Sequence, residues 1–341
     1  MIQLGISAFY HDSAACLVIN GKVISAVEEE RFTEIKHDSS FPINSIKWVL
    51  EHSKLTIKDV NQVCWYEEPF IKKDRVLKSF RRKWWKTFKI RKKFLEEYKA
   101  NNIPNLLKSL GYEGEIVYTN HHLSHASYSY FTSPFRNALI LTVDGVGEWE
   151  TVTLYRGKDN SITKLDSIRF PNSLGMLYST ITSFLGFKPN EGEYKVMGLA
   201  PYGDHKKYLS KFSQLITPTE DGKFKLNMKY FSFDWNGKAM FNGNLSKLFG
   251  IANRLPEEEI TQEHKDLAAT LQSEYEYYFL RLINSLDPGI NTKNICLGGG
   301  SAYNGAANGK VLDNSKFSKL WIPPAPSDAG SAIGACLYHY R

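Results

Sequence analysis

The sequence predicts an α/β fold of two similar lobes facing each other across a cleft, and three observations predict it. Strand–loop–strand units recur in the 341-residue chain, as IQLGISAFYHDSAACLVINGKVISAVE at 2–28 and ALILTVDGVGEWETVTLYRGK at 138–158. The units share their order and nearly their length, which points to an internal duplication. Late in the chain the apolar run NICL feeds a Gly-rich turn, GGGSAYNGAANGK at 298–310, that leads into a helix.

In the first unit, strands at IQLGIS, AACLVI and VISAVE are separated by the polar loop AFYHDS and the turn NGK. Asn20-Gly21 is a hairpin signal, because both residue types tolerate the positive φ of a two-residue turn. FPINSIKWVLEHS reads as a helix. Residues 72–93 read as a second, basic one, with Val76, Phe80, Trp84 and Phe88 recurring every four residues. The second unit repeats the scheme with a strand, the loop 144–148, a strand and a Gly-Lys turn. SLGMLYSTITSFLGF predicts a helix, a loop-rich region runs to about 260, and HKDLAATLQSEYEYYFLRLIN predicts a long helix. A strand at NICLGGG, a short strand at KLWIP, the loop PAPSDAG and a final helix at SAIGACLYHY close the chain. The lobes divide at 1–136, with a basic helical insertion at about 70–100, and 137–341. That division leaves room for the lobes to exchange the C-terminal helix. Duplicated hairpin units around a nucleotide cleft describe the actin-like, Hsp70-like, sugar-kinase-like ATPase (ASKHA) architecture. There, phosphates sit between the two hairpin loops, and the Gly-rich turn at a helix N-terminus supports the nucleoside.

Composition narrows the classes. With 42% hydrophobic and 23% charged residues the chain reads as globular and soluble. No run of eighteen apolar residues exists, so no membrane span is expected. The N-terminus lacks a basic region and a small-residue cleavage site, so a cytoplasmic location is expected. Cys16, Cys64, Cys296 and Cys336 are far apart and follow no metal-ligand spacing, which reads as reduced thiols. Residues 72–93 carry twelve Lys or Arg against Asp74 alone, a net +11 in a chain of net +7, leaving −4 for the remainder. A basic amphipathic helix can lie on nucleic acid, an anionic membrane or an acidic protein, or dock on its own domain.

The stretch TNHHLSHASYSYF, 119–131, holds three of the nine histidines within five positions. On a helix, His121 and His125 share a face while His122 points elsewhere. Two imidazoles at that spacing can share a metal ion or stand solvated at a helix start, and spacing alone leaves both readings open.

Further strings carry a family resemblance: HDSAA at 11–15, EEERFTEIKHDSSFP at 28–42, NHHLSHASYSYF at 120–131, LTVDGVGE at 141–148, EGEYKVMGLAPYG at 191–203, GGGSAYN at 298–304 and PSDAG at 326–330. In this order they resemble the O-carbamoyltransferases of the NodU, CmcH and TobZ type, whose N-terminal domain resembles the tRNA threonylcarbamoyl-transferase fold. The resemblance implies that His121, His125, Asp144 and Asp328 bind one transition metal, iron first, with zinc or manganese as alternatives. An N2O2 donor set suits those ions better than calcium or magnesium. It also implies transfer of a carbamoyl group from carbamoyl-adenylate, made from ATP and carbamoyl phosphate, to an acceptor hydroxyl. His11 matches the general base. Lys36 and Lys195 match cations near the adenylate, and Gly145, Gly298, Gly299, Gly300 and Asn304 match its pocket. Asn304 can equally cap the helix that follows it.

Family members continue into a YrdC-like domain that makes the carbamoyl-adenylate. This sequence ends at Arg341, which fits either an excised part of a longer protein or a natural subunit working with a separate YrdC-like activating subunit, the latter being the expectation. The acceptor is unspecified: a sugar, a nucleoside or, through residues 72–93, a group on nucleic acid. A small-molecule kinase on the same fold and a non-catalytic nucleotide-binding scaffold remain the rival readings.

Overall fold

A computed structural model describes residues 1–81, 84–235, 239–285 and 291–341. The chain forms two five-stranded sheets and a small hairpin. The first sheet holds β1 (Ile2–Ser7), β2 (Ala14–Ile19), β3 (Lys22–Glu28), β4 (Gln62–Trp65) and β5 (Glu115–Tyr118), in the order β3-β2-β1-β4-β5. The second holds β6 (Asn137–Val143), β7 (Glu150–Lys158) and β8 (Ser161–Arg169), completed by β11 (Asn294–Gly298) and β12 (Lys319–Trp321). Its order, β12-β11-β6-β7-β8, is the same scheme when read outward from the first strand of each unit. In both sheets a hairpin pairs antiparallel to the first strand and two later strands pair parallel on its other side. β9 (Ile216–Pro218) and β10 (Phe224–Leu226) form the small hairpin, which falls between β8 and β11 in sequence. This is the duplicated ASKHA-type architecture.

The burial of the strands follows from their position. β1 and β6 lie at the centre of their sheets and are buried along nearly their whole length, with Gln3, Ser7 and Thr142 buried among mainly apolar residues. β3 and β8 are edge strands, with Lys22 exposed on the first and Ser161, Lys164 and Asp166 on the second. Asn20 and Gly21 both take positive φ, 49° and 74°, in the two-residue turn between β2 and β3. In the second unit the turn lies at Asp159-Asn160, beyond the Gly-Lys pair. Gly157 lies within β7, where a Cβ would stand 2.5 Å from the Tyr130 ring, so the position requires glycine.

Two helices make the layer between the sheets. The helix His121–Phe131 packs on β6, β7 and β11 through Ala126 and Tyr130. The C-terminal helix Asp328–Tyr340 packs on β1, β2 and β4 through Ala332, Ala335, Cys336 and Leu337. The C-terminal residues thus complete the core under the first sheet. The second lobe has its own larger core, in which Leu139, Leu141 and Ile295 meet Leu177 and Ile181 of the helix Leu174–Phe184 and Leu271 and Phe279 of the helix Gln262–Ser285. Each such side chain, fully buried, contributes about 1.5–3 kcal/mol.

Other expectations change in detail. The region before residue 260 is loop-rich as expected, and β9, β10 and the short helices Glu193–Leu199, Leu209–Phe212 and Gly243–Phe249 punctuate it. Within the Gly-rich stretch 298–310, the expected helix is reduced to a 3-10 turn, Gly300–Tyr303, and the four-residue helix Gly305–Asn308. The basic segment is not one helix: Pro69–Arg81 and Trp84–Ala100 are separate, and residues 82 and 83 lie outside the described residues. Lys73 Nζ sits 4.6 Å from the Tyr98 ring centroid, so the start of the first helix lies beside the end of the second. Of the apolar stripe, the side chains of Phe80 and Trp84 fall outside the described residues, and Phe88 is 71% exposed. The first of these helices reaches the second lobe, with Arg75 over Phe170 and Lys78 over Trp149. Among the described residues, no helix is long and apolar enough to cross a membrane.

Candidate metal centre and adjoining cavity

Close contact between the two central helices builds the site. A Cβ on Gly334 would lie 1.9 Å from the Ser124 carbonyl oxygen, and one on Gly330 would lie 2.3 Å from the Tyr128 ring. Only glycines let these backbones approach so far. The approach brings Asp328, the first residue of the C-terminal helix rather than a loop residue, to His121 and His125. Asp144 joins them from the end of β6. Its Oδ1 accepts hydrogen bonds from the Gly145 and Gly300 N–H groups at 2.7 and 3.3 Å, which turns Oδ2 toward the histidines. Ser173 pins the same loop, donating to the Gly145 carbonyl at 2.7 Å while capping the helix Leu174–Phe184.

Four ligand atoms converge. His121 Nε2 and His125 Nε2 are 3.0 Å apart, and Asp144 Oδ2 lies 2.8 and 3.2 Å from them. Asp328 Oδ1 lies 3.6 Å from both ring nitrogens. All four residues are buried, and these atoms lie within 4.8 Å of one another. Tetrahedral bonds of about 2.1 Å would separate ligand atoms by about 3.4 Å, so the set fits a small divalent transition ion. The hydrogen-bond account agrees. Neither Asp328 oxygen has a hydrogen-bond partner among the described residues, although an ionised carboxylate buried without one is costly. Burial pushes the Asp328 carboxyl up to about 7. Burial, then the neighbouring His125, lowers His121 to about 3, so its ring stays neutral and can ligate. Burial opposes ionisation of Asp144 too, yet the two imidazoles hold its carboxyl well below the usual range. Lone pairs and carboxylates facing one point repel each other unless a cation lies between them.

The surrounding groups orient these ligands. His125 Nδ1 lies 2.8 Å from Ser331 Oγ, one turn along from Asp328. Glu148 accepts hydrogen bonds from the His121 and Glu68 N–H groups and from Asn120 Nδ2, at 2.8–2.9 Å, and so fixes the N-terminus of the histidine helix. Burial pushes its carboxyl up to about 7, against the donors that favour the ionised form. His122 does not join the cluster and is not solvated. It is fully buried, with Nδ1 2.7 Å from Thr142 Oγ1 and Nε2 2.9 Å from the Glu150 carbonyl, and it ties the helix to β6 and β7.

A cavity of about 440 Å³ lies beside the cluster, lined by Asp144, Gly145, Gly300, Asn304, His11 and Lys36 together with Tyr10, Tyr178, Tyr194, Tyr275 and Tyr303. It therefore combines apolar ring faces with a few charged groups, the usual make-up of a small-molecule site. Lys195 is exposed and does not line it; its Nζ lies 5.9 Å from the Phe187 and Tyr194 ring centroids. Gly298 and Gly299 also lie outside the lining, where they let β11 pass close to His125 and Val143. Asn304 lines the cavity but is committed elsewhere. Its Oδ1 caps the helix Gly305–Asn308 through the Ala307 N–H, and its amide pairs with Gln272. Sequence reasoning assigned no role to Asp12, His37, Glu148 or Ser331. The available signal was adjacency: Asp12 and His37 flank His11 and Lys36, and Ser331 follows Asp328 by three residues.

The carbamoyltransferase N-terminus family model matches residues 2–337 of the chain. An uncharacterized protein of Synechocystis is 42% identical over 345 residues, covering 98% of this chain and 56% of that protein. Nodulation protein NolNO of Sinorhizobium fredii is 33% identical over 337 residues, covering 97% of this chain and 46% of that one. The chain thus spans about half the length of these relatives. Among solved structures, component A of the (R)-2-hydroxyglutaryl-CoA dehydratase of Acidaminococcus fermentans shares the fold, with a TM-score of 0.50 at 14% identity over 100% of this chain and 98% of that one. A match that runs almost from end to end, joined by relatives at a third identity or more, makes this chain a member of the carbamoyltransferase N-terminal family.

Proposed function

We propose that the chain transfers a carbamoyl group from carbamoyl-adenylate to an acceptor hydroxyl in the cavity between its lobes. One observation carries the reading: Asp144 belongs both to the four-atom cluster and to the wall of the cavity that His11 and Lys36 share. His121, His125, Asp144 and Asp328 would hold the metal. Bound there, a divalent transition ion supplies Lewis acidity toward phosphate oxygens and offsets charge on the leaving nucleotide. Lys36 adds a cation on the cavity wall for the same phosphate. The tyrosine rings offer apolar faces for a base and exclude water from the activated carbamoyl carbon. With a cation offsetting the Asp328 and Asp144 charges that hold a proton on His11, its neutral ring accepts the hydroxyl proton, since a neutral alcohol is a weak nucleophile.

In this reading a separate YrdC-like unit forms the carbamoyl-adenylate, and the acceptor is a hydroxyl-bearing sugar or nucleoside. The test is mass spectrometry of the chain with preformed carbamoyl-adenylate and candidate acceptors. AMP with a carbamate ester supports the proposal; ADP with a phosphate ester, from ATP and acceptor, would make the chain a kinase. Carbamoyl phosphate plus ATP should give product only when the activating unit is added. Residues 72–93 are a candidate surface for that unit or for nucleic acid. A nucleic-acid complex would weaken with salt at a log–log slope near −0.9 per phosphate contacted.

A further inference from the structure

The cavity wall carries a hydrogen-bonded triad that the chemistry above leaves unexplained. His11 Nδ1 lies 2.8 Å from Asp12 Oδ2, and His37 Nδ1 lies 2.5 Å from Asp12 Oδ1. All three residues line the cavity. An ionised carboxylate only accepts, so each Nδ1 carries the proton, and Nε2 of a neutral His11 keeps its lone pair. The backbone is bent to make this meeting. Phe9, Asp12 and His37 have φ of 73°, 51° and 54°, in the left-handed region that side chains avoid. The two loops are laced together: the Phe9 N–H donates to the Ser39 carbonyl and the Ser13 N–H to the Asp38 carbonyl, each at 2.9 Å. The His37 N–H donates to Glu30 Oε2 at 2.8 Å. Backbone strain held in two loops at Phe9, Asp12 and His37, with the side chains of His11 and His37 meeting on the Asp12 carboxylate inside a cavity, marks a preorganised site rather than two ordinary turns.

We propose that Asp12 is a positioning residue, which holds His11 as the Nδ1–H tautomer with Nε2 free for the acceptor hydroxyl, while His37 anchors the carboxylate from its other side. The proposal rests on the carbamoyl-transfer reading for its chemistry. As the acceptor oxygen bonds to the carbamoyl carbon, the bond from that carbon to the adenylate oxygen breaks, and its electron pair leaves with AMP. The hydroxyl proton passes to His11 Nε2. Asp12 stays ionised throughout and balances the imidazolium until Nε2 returns the proton to solvent. The wrong tautomer would present an N–H to the hydroxyl and could not accept its proton.

The tautomer can be read without substrate. Nitrogen-15 spectra of the histidine-labelled chain, assigned with the His11→Gln and His37→Gln variants, distinguish Nδ1–H from Nε2–H on the neutral ring above the His11 pKa of about 9. The wild type is expected to show Nδ1–H at His11. Asp12→Asn is expected to shift that ring toward Nε2–H and to lower kcat about a hundredfold or more, with metal content and KM for carbamoyl-adenylate little changed. Should Asp12→Asn not fold, His37→Ala leaves the carboxylate in place and is expected to lower kcat severalfold. A dominant Nε2–H form in the wild type, or an unchanged tautomer in Asp12→Asn, overturns the proposal. Absence of carbamoyl transfer by the wild type would sink the transfer reading instead, because the tautomer is measured independently of it.

Discussion

Each ligand side chain is prepared by its surroundings for a cation. Burial keeps His121 neutral, Ser331 orients the ring of His125, and Asp328 faces the cluster with no hydrogen-bond donor of its own among the described residues. Purified chain is therefore expected to carry about one transition metal ion, measured by elemental analysis. His121→Ala or His125→Ala should strip it, whereas Ser331→Ala should weaken affinity by about 10–100-fold. Full occupancy in a double-histidine variant would remove the metal assignment. His11 gives a pH prediction. Burial works against its charged form, but the carboxylates of Asp328, Asp12 and Asp144 outweigh it and raise the pKa from 6.5 to about 9. Between those values the folded state holds a proton that the unfolded state has released. The resulting stabilisation, on the order of 3 kcal/mol, is fully present below pH 6.5 and is lost as pH rises through about 9. In chelated protein, urea unfolding of His11→Gln should lack this fall. Parallel pH profiles for variant and wild type would show that the carboxylates do not act on His11. Added metal should shrink the effect, since it offsets two of those charges.

Among elements, the contact between the histidine helix and the C-terminal helix matters most. Its closeness depends on Gly330 and Gly334, four residues apart on one helix face. Gly334→Ala places a methyl group where the Ser124 carbonyl stands, so the helices must separate. The expected cost is about 1–3 kcal/mol, read as a fall in melting temperature. Metal affinity should fall with it, because Asp328 rides on the displaced helix. Retained affinity together with lost stability would show that the helix can slide without carrying Asp328 away.

Across the whole molecule, the metal cluster joins parts that are distant in sequence. Asp144 ends a strand of the second sheet, and Asp328 begins a helix packed on the first. The two histidines lie on the helix between the sheets. A cation binding only when these converge stabilises the folded state by mass action, by about 4 kcal/mol at a thousandfold excess over Kd. Chelation is therefore expected to lower the melting temperature by several degrees, and zinc or ferrous ion to restore it. A melting temperature indifferent to both would mean that the lobes assemble without the ion.

The sequence by itself determined the duplicated α/β plan, since strand patterning and turn chemistry are local. β1, β2 and β3, the Asn20-Gly21 turn and the long helix near residue 262 were all legible from residue type and period. So was the shared face of His121 and His125, which needs only helical spacing. Family motifs indicated Asp144 and Asp328 as their partners, but no local rule could. Where local signals were weak or served another end, sequence reading went astray. Gly157 looked like a turn residue because a glycine that clears an aromatic ring is indistinguishable in sequence from one that turns the chain. Lys195, matched by motif to the adenylate site, is exposed on the helix Glu193–Leu199 beside Tyr194 of the cavity wall, a placement that no residue pattern specified. Only the tertiary structure decided that the last helix completes the first lobe's core, that His122 is a buried tie, and that Asp12 joins His11 to His37. These outcomes depend on contacts between residues up to about three hundred positions apart, and such contacts are set by packing and close backbone approach rather than by the period of any one segment.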